Sequence, residues 1–195
     1  MKLNVIAVAY HRAIPLRILI DSFLLQTDNR WQLQIVHDGI APQDVVDVMG
    51  LYDDLRLEFI QTEIRRDNYG HPNRRIYLEK LGSCKDFVLL TNDDNYYVPV
   101  FVEKMLKEAE ADLNMGFVMC NTVHSHYDYN LHKSFPKHGD IDMGAFIVRL
   151  DVARAVGFNH IDRGADGRYA EECADYCRLN NIKIIHINKP LFIHN

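Results

Sequence analysis

Short apolar runs alternate with segments of helical period along the first 120 residues. The runs Leu3–Ala9, Leu33–Val36, Leu57–Ile60, Phe87–Leu90 and Phe117–Cys120 predict strands. Helical segments between the first four carry Pro15, Pro42 and Pro72 near their starts. Proline is tolerated there because the first N–H groups of a helix have no partner within it. A fourth helix runs from Pro99 to about Ala111, and Gly82 stands where the third would end in a glycine cap. This β-α-β-α-β-α-β-α-β order predicts a largely parallel sheet covered by helices on both faces.

The second half is less regular. His124–Gly139 is polar, aromatic and rich in histidine, which reads as a loop or a short hairpin. A strand at Gly144–Arg149, a short helix ending at Gly157, a longer helix over about Gly167–Asn180 and a strand at Ile182–Ile187 follow. In the longer helix Ala170, Cys173, Ala174 and Cys177 form a stripe of helical spacing, so both cysteines read as buried thiols. The chain reads as one domain with a soft division near residue 115, a nucleotide-binding half (1–115) joined to an acceptor-binding half (116–195).

Composition narrows the function. At 195 residues the chain can bury a core without disulfide staples. A net charge of −5, with acids and bases interspersed and no basic tract, argues against a nucleic-acid partner. The apolar core of MKLNVIAVAYHR, Val5 to Ala9, is too short for a signal peptide or a membrane span. Reduced thiols fit the cytoplasm, the expected location.

In open α/β sheets ligands bind beyond the carboxyl ends of the strands. Three of these ends are polar: Ala9-Tyr10-His11-Arg12, His37-Asp38-Gly39 and Asn92-Asp93-Asp94-Asn95. No glycine-rich loop follows the first strand, which argues against a Rossmann dinucleotide site and a P-loop. Bound phosphates then need another positive charge. A divalent cation on Asp93 or Asp94 would supply it, with Arg65, Arg66, Arg74 and Arg75 in reserve. Taken alone, LLTNDDNYYVP is either a polar turn or a metal platform.

The motifs resemble the GT-A glycosyltransferases, within them the family-2-like inverting enzymes, over nearly the whole chain. VIAVAYHRAIPLRILIDSFLLQT looks like the family's opening strand, loop and helix, which places Ala9, Tyr10 and Arg12 at the donor. LQIVHDG is similar to the strand ending in Asp-Asp-Gly, with Asp38 meeting the nucleotide and His37 replacing the first acid. DNYGHPNRRIYLEKLG resembles the helix-opening segment beside the nucleotide and implies donor roles for Asn68, Gly70 and Arg74. TNDDNYYVP looks like the Asp-x-Asp motif. In that register Asn92 takes the first acid's place, Asp94 binds the metal, and Asp93 contacts the donor or shares the metal.

GDIDMGAFIVRLDVARAVGF resembles the segment lining the donor sugar, which brings in Gly144. ADGRYAEECADYCRL resembles the acidic pair opening a late helix, with Glu171 and Glu172 as the pair and Glu172 the catalytic base. Helical geometry complicates that register: with the Ala/Cys stripe facing the core, Glu172 points well away. Asp166, at an expected N-cap position, competes with it. The ending KPLFIHN places His194 where many metal-dependent members hold the same cation. His124, His126, His132 and His138 have no acidic partner at ligand spacing and read as a solvated loop near the acceptor.

The resemblance implies a single GT-A-like domain, α/β with a mostly parallel sheet and a mixed C-terminal half. It implies a metal-dependent inverting transfer of sugar from a nucleoside diphosphate, UDP favoured, to a hydroxyl of a glycan or other acceptor. Oxygen ligands plus one imidazole favour Mn²⁺ over Mg²⁺. The alternative is a non-catalytic nucleotide-sugar-binding module of the same fold. A phosphohydrolase ranks low, because the first strand ends without a nucleophilic acid. The length is short for such an enzyme and leaves room for further domains of a longer polypeptide.

Overall fold

Strand β1 (Leu3–Ala9) is buried along its whole length, as a strand covered on both faces must be. The computed structural model describes residues 1–195 and sets β1 in the middle of a parallel ladder. It pairs with β2 (Trp31–His37) on one side and with β4 (Phe87–Asn92) on the other. Strand β3 (Leu57–Gln61) pairs beyond β2. Helices α1 (Ala13–Leu24), α2 (Gln43–Met49) and α3 (His71–Lys80) make the crossovers. Helix α1 buries Leu16, Leu19, Ile20 and Phe23, the i, i+3, i+4, i+7 spacing of one apolar face. Because the strands are parallel and in register, the ends at Ala9, His37 and Asn92 open on one rim.

The other half departs from the parallel expectation. A short strand β5 (Tyr96–Tyr97) and helix α4 (Phe101–Glu110) follow the rim, then a long strand β6 (Met115–His124). It does not pair with β4. Strand β8 (Phe146–Arg149) inserts between them, antiparallel to both. Strand β9 (Lys183–His194) runs parallel to β6 through three register shifts and pairs antiparallel with β5. The sheet order is β3-β2-β1-β4-β8-β6-β9-β5, with β7 (Asn130–His132) forming a hairpin on β6. Since β6 and β8 are both continuous apolar runs, hydrophobic period alone did not distinguish which one meets β4. The segment from 125 to 139 is thus partly hairpin, partly loop.

Helices α5 (Leu150–Val156) and α6 (Ala165–Leu179) complete the chain. Ala170, Cys173, Ala174 and Cys177 are fully buried on α6, and all four cysteines are free. The glycine cap at Gly82 does not form: the chain leaves α3 in extended conformation at Leu81. The Arg154 guanidinium donates instead to the carbonyls of Glu79, Leu81 and Gly82. No helix is long and apolar enough to cross a membrane.

Candidate active site

The floor of the rim is Asp93. Its carboxylate is fully buried, accepts the Tyr10 N–H at 3.0 Å and lies 2.5 Å from the Arg12 guanidinium. Burial pushes its pKa up to about 6 against the opposing pull of Arg12. The same guanidinium donates to Asp94. The loop after β1 is further held by stacking. Tyr10, His11 and His37 stack on one another, and Arg65 lies 3.9 Å over the Tyr10 ring.

The second wall is a strained loop. Asp67, Asn68, Tyr69 and Gly70 all have positive φ, rare for consecutive non-glycine residues. Asp38 explains how the loop is held. Its carboxylate accepts the backbone N–H groups of Arg66 and Asp67, each at 2.9 Å, and the Asn73 amide at 2.7 Å. At Gly70 a Cβ would lie 2.3 Å from Val8 Cγ1, so the loop approaches β1 as only glycine allows. Arg74 is fully buried behind it and donates to the carbonyls of Tyr69 and Thr91 and to the Asn92 amide oxygen.

These walls enclose a cleft of about 620 Å³ lined by Tyr10, Arg12, Asn68, Tyr69, Asn92 and Asp94, among others. A second cavity of about 450 Å³ shares Tyr69, Asn92 and Asp94 with it and continues to His124, Asp142, Asp166 and His194. There the His124 and His194 rings stack at 4.0 Å with 6° between planes. Their Nε2 atoms lie 4.0 and 3.7 Å from Asp142 Oδ2. The candidate ligand atoms of these three residues all fall within 4.8 Å of one another. Burial, with Asp166 nearby, raises the Asp142 carboxyl to about 7. Asp166 is also shifted up by burial.

The sequence-predicted residues divide accordingly. Ala9, Tyr10, Arg12, Asn68, Gly70, Asn92 and Asp94 line the 620 Å³ cleft. Asp38 borders it too, but its carboxylate is committed to the loop rather than turned toward a nucleotide. Arg74 is a buried strut whose Nη1 and Nη2 are taken by this chain, and it does not line the cleft. Gly144 faces the core, where a Cβ would meet the Phe192 ring at 2.5 Å. Asp93 lies beneath Arg12, out of reach of a cation while that pair holds. His194 reaches the site through β9, yet clusters with Asp142 and His124 rather than with the aspartates after β4.

Among the three candidate bases, only Asp166 lines the cavity. Glu172 is exposed and pairs with His160 at 2.7 Å, while Glu171 accepts the His138 N–H at 3.3 Å. Asp166 is not an N-cap: the helix starts at Ala165 with Gly164 in that position. Asp142 went unrecognised in the sequence, although its histidine partners were both singled out. It stands 18 residues beyond His124 and 52 before His194. Spacing rules for metal or catalytic clusters do not connect residues so far apart.

The sequence matches no protein-family model. A curated Bacillus subtilis (strain 168) protein, named uncharacterized glycosyltransferase YwdF, is 36% identical over 113 residues. The match takes 57% of this chain and 39% of that protein, so the chain spans about two fifths of the relative's length. Among solved structures, S. aureus TarS superposes with a TM-score of 0.73 at 18% identity, over 100% of this chain and 37% of that one. A TarS structure in complex with UDP-GlcNAc gives 0.71 at 17% identity, over 99% and 58%. Mannosyltransferase PcManGT from Pyrobaculum calidifontis, in complex with GDP-Man and Mn²⁺, gives 0.70 at 17%, over 99% and 56%.

The chain has the fold of these glycosyltransferases. The two cavities lie side by side. Asp94, Asn92 and Tyr69 stand at their junction.

Proposed function

We propose that this chain is the catalytic domain of an inverting glycosyltransferase that takes sugar from a nucleoside diphosphate, with UDP the favoured nucleotide. The observation that carries the reading is the junction at Asp94, where a polar cleft after three parallel strand ends meets a cavity lined by two half-buried carboxylates, Asp142 and Asp166. Cleft and cavity together suit a donor in the first and an acceptor in the second. Complexes of TarS with UDP and UDP-GlcNAc support UDP, and the GDP-Man complex of the Pyrobaculum enzyme marks the competitor. A non-catalytic binding module would account for the cleft but not for Asp142 and Asp166 beyond it.

Tyr10 and Arg65 offer a stacked platform for a base at one end of the cleft. The diphosphate would lie toward Arg12 and Asp94. The residues fit a divalent cation: Asp94 Oδ1 is buried without a hydrogen-bond partner, and His194 lines the same cavity. Such a cation supplies positive charge to the departing diphosphate. An imidazole among its ligands favours Mn²⁺ over Mg²⁺. Asp166 takes the proton of the acceptor hydroxyl as that oxygen attacks the anomeric carbon and the bond to diphosphate breaks. A carboxyl raised by burial suits this step, and one displacement inverts the anomeric centre.

The direct test is release of UDP from a panel of UDP- and GDP-sugars with and without Mn²⁺, for the wild type and Asp94→Ala. Loss of about 10²-fold or more in the variant is expected, as for other groups that stabilise transition-state charge. Full metal-dependent activity of Asp94→Ala would refute the cation assignment.

A further inference from the structure

One guanidinium bridges both aspartates at the rim. Arg12 Nη2 is 2.5 Å from Asp93 Oδ1, while Nη1 donates to Asp94 Oδ2. The geometry points to Arg12 as a tethered stand-in for the cation: it holds the carboxylate pair until the donor arrives, then exchanges places with the divalent ion and turns to the diphosphate. This rests on the nucleoside-diphosphate reading of the cleft.

Three observations support the exchange. First, Arg12 and a cation compete for the same acceptor. Asp94 offers the cleft a carboxylate whose Oδ2 is taken by Arg12 and whose Oδ1 is buried and unpartnered. A divalent ion that used both oxygens would have to displace the guanidinium.

Second, Arg12 is free to leave where the neighbouring arginines are not. Its side chain is 46% exposed and lines the cleft. Arg74 is fully buried and fixed by Tyr69, Thr91 and Asn92. Arg65 is stacked on Tyr10. Arg12 also sits between His11, whose φ is +53°, and the first turn of α1, so a change of rotamer leaves the helix intact.

Third, the charges demand a replacement. The guanidinium offsets two carboxylates, of which Asp93 is fully buried. A buried charge left without its partner is strongly unfavourable. Arg12 therefore departs only as another cation arrives, and the freed guanidinium meets the phosphates that arrive with it. Cation and nucleotide binding become coupled through one side chain, and the coupling is reciprocal.

The test titrates Mn²⁺ alone, then Mn²⁺ with UDP, into the wild type, Arg12→Gln and Arg12→Lys, by calorimetry or by the electron paramagnetic resonance of free Mn²⁺. Glutamine removes the competing charge. Without nucleotide, Mn²⁺ should bind Arg12→Gln about tenfold more tightly than wild type, the scale of one screened charge pair at a partly exposed site. UDP should bind that variant about tenfold more weakly in saturating Mn²⁺. Arg12→Lys, which keeps a charge but not the fork, should fall between. Unchanged or weaker Mn²⁺ binding by Arg12→Gln would overturn the exchange. Should Arg12→Gln fail to fold, a wild-type crystal structure with Mn²⁺ and UDP decides: Arg12 off Asp94 supports the exchange, and Arg12 still on Asp94 overturns it. If UDP binds neither protein while Arg12→Gln gains Mn²⁺ affinity, the exchange stands and the nucleotide reading fails.

Discussion

Asp166 and Glu172 lie six residues apart on one helix, and helical rotation separates them. Six steps of about 100° turn a side chain through roughly 240° of the helix circumference. The buried Ala/Cys stripe fixes which side faces inward. Asp166 then borders the cavity and Glu172 meets His160 in solvent. Under the proposed mechanism Asp166→Asn should lower kcat by about 10²- to 10⁴-fold with little change in UDP binding, the usual contribution of a general base. Glu172→Gln should leave kcat within about twofold, as surface substitutions away from a site do. Steady-state kinetics on both variants, with UDP affinity measured alongside, checks the pair. The i, i+4 pattern already set Asp166 on the inward side, whereas the motif register pointed to Glu172, which pairs with His160 in solvent. Other residues were beyond reach of either. Nothing local marks Asp38 as a carboxylate spent on the N–H groups of Arg66 and Asp67, because that depends on how the loop after β3 folds back. Gly70 gives the complementary case. Its φ of +74° and the 2.3 Å approach of a built Cβ to Val8 predict that Gly70→Ala costs about 1–3 kcal/mol, read as a lower denaturant midpoint.

At the scale of elements, the parallel half was readable because β1 and β4 are largely buried apolar runs, β2 and β3 carry short apolar stretches, and each helix begins beside a proline. Strand β8 was visible as a run but not as a neighbour of β4, since pairing partners leave no trace in period. Helix α3 carries a consequence of its own. His71 at its start is buried, accepts from Arg74 at Nδ1 (3.1 Å) and faces the Asp162 carbonyl with Nε2 (3.2 Å). Burial and the Arg74 charge depress its pKa to about 4. An unfolded histidine titrates near 6.5. Between these values the unfolded chain binds a proton that the folded one refuses, so stability is full above about 6.5 and lost as pH falls toward 4. The loss amounts to on the order of 3 kcal/mol. Urea unfolding at pH 7.5, 6 and 5 should show that slope in the wild type and a shallower one in His71→Gln. Glutamine keeps an acceptor for Arg74 and a donor for Asp162 but does not titrate. Equal slopes would remove His71 as the cause.

For the whole molecule the question is whether the halves before and after residue 115 are separate units. The soft division near residue 115 falls just at the start of β6, whose neighbours in the sheet come from the second half. Yet β8 from the second half pairs with β4 from the first, and Leu150 N–H continues that ladder to the Asp86 carbonyl at 2.8 Å. Strand β9 reaches back in the same way to β5. The 48 buried residues of the core form one cluster running from Leu3 to Phe192. Separating the halves would expose the apolar faces of β4 and β8 together and leave both ladders unpaired, a cost that neither half can recover alone. Unfolding should therefore be a single cooperative transition. The chain carries its own reporter: its single tryptophan, Trp31, is buried in β2 beneath Arg56, far along the sheet from β9. Trp31 fluorescence and far-ultraviolet circular dichroism should give coincident urea curves. With UDP and Mn²⁺ present at about 100 times the dissociation constant, both curves should shift together by about 2.7 kcal/mol. A fluorescence transition that moved with ligand while part of the dichroism did not would mark residue 115 as a true boundary.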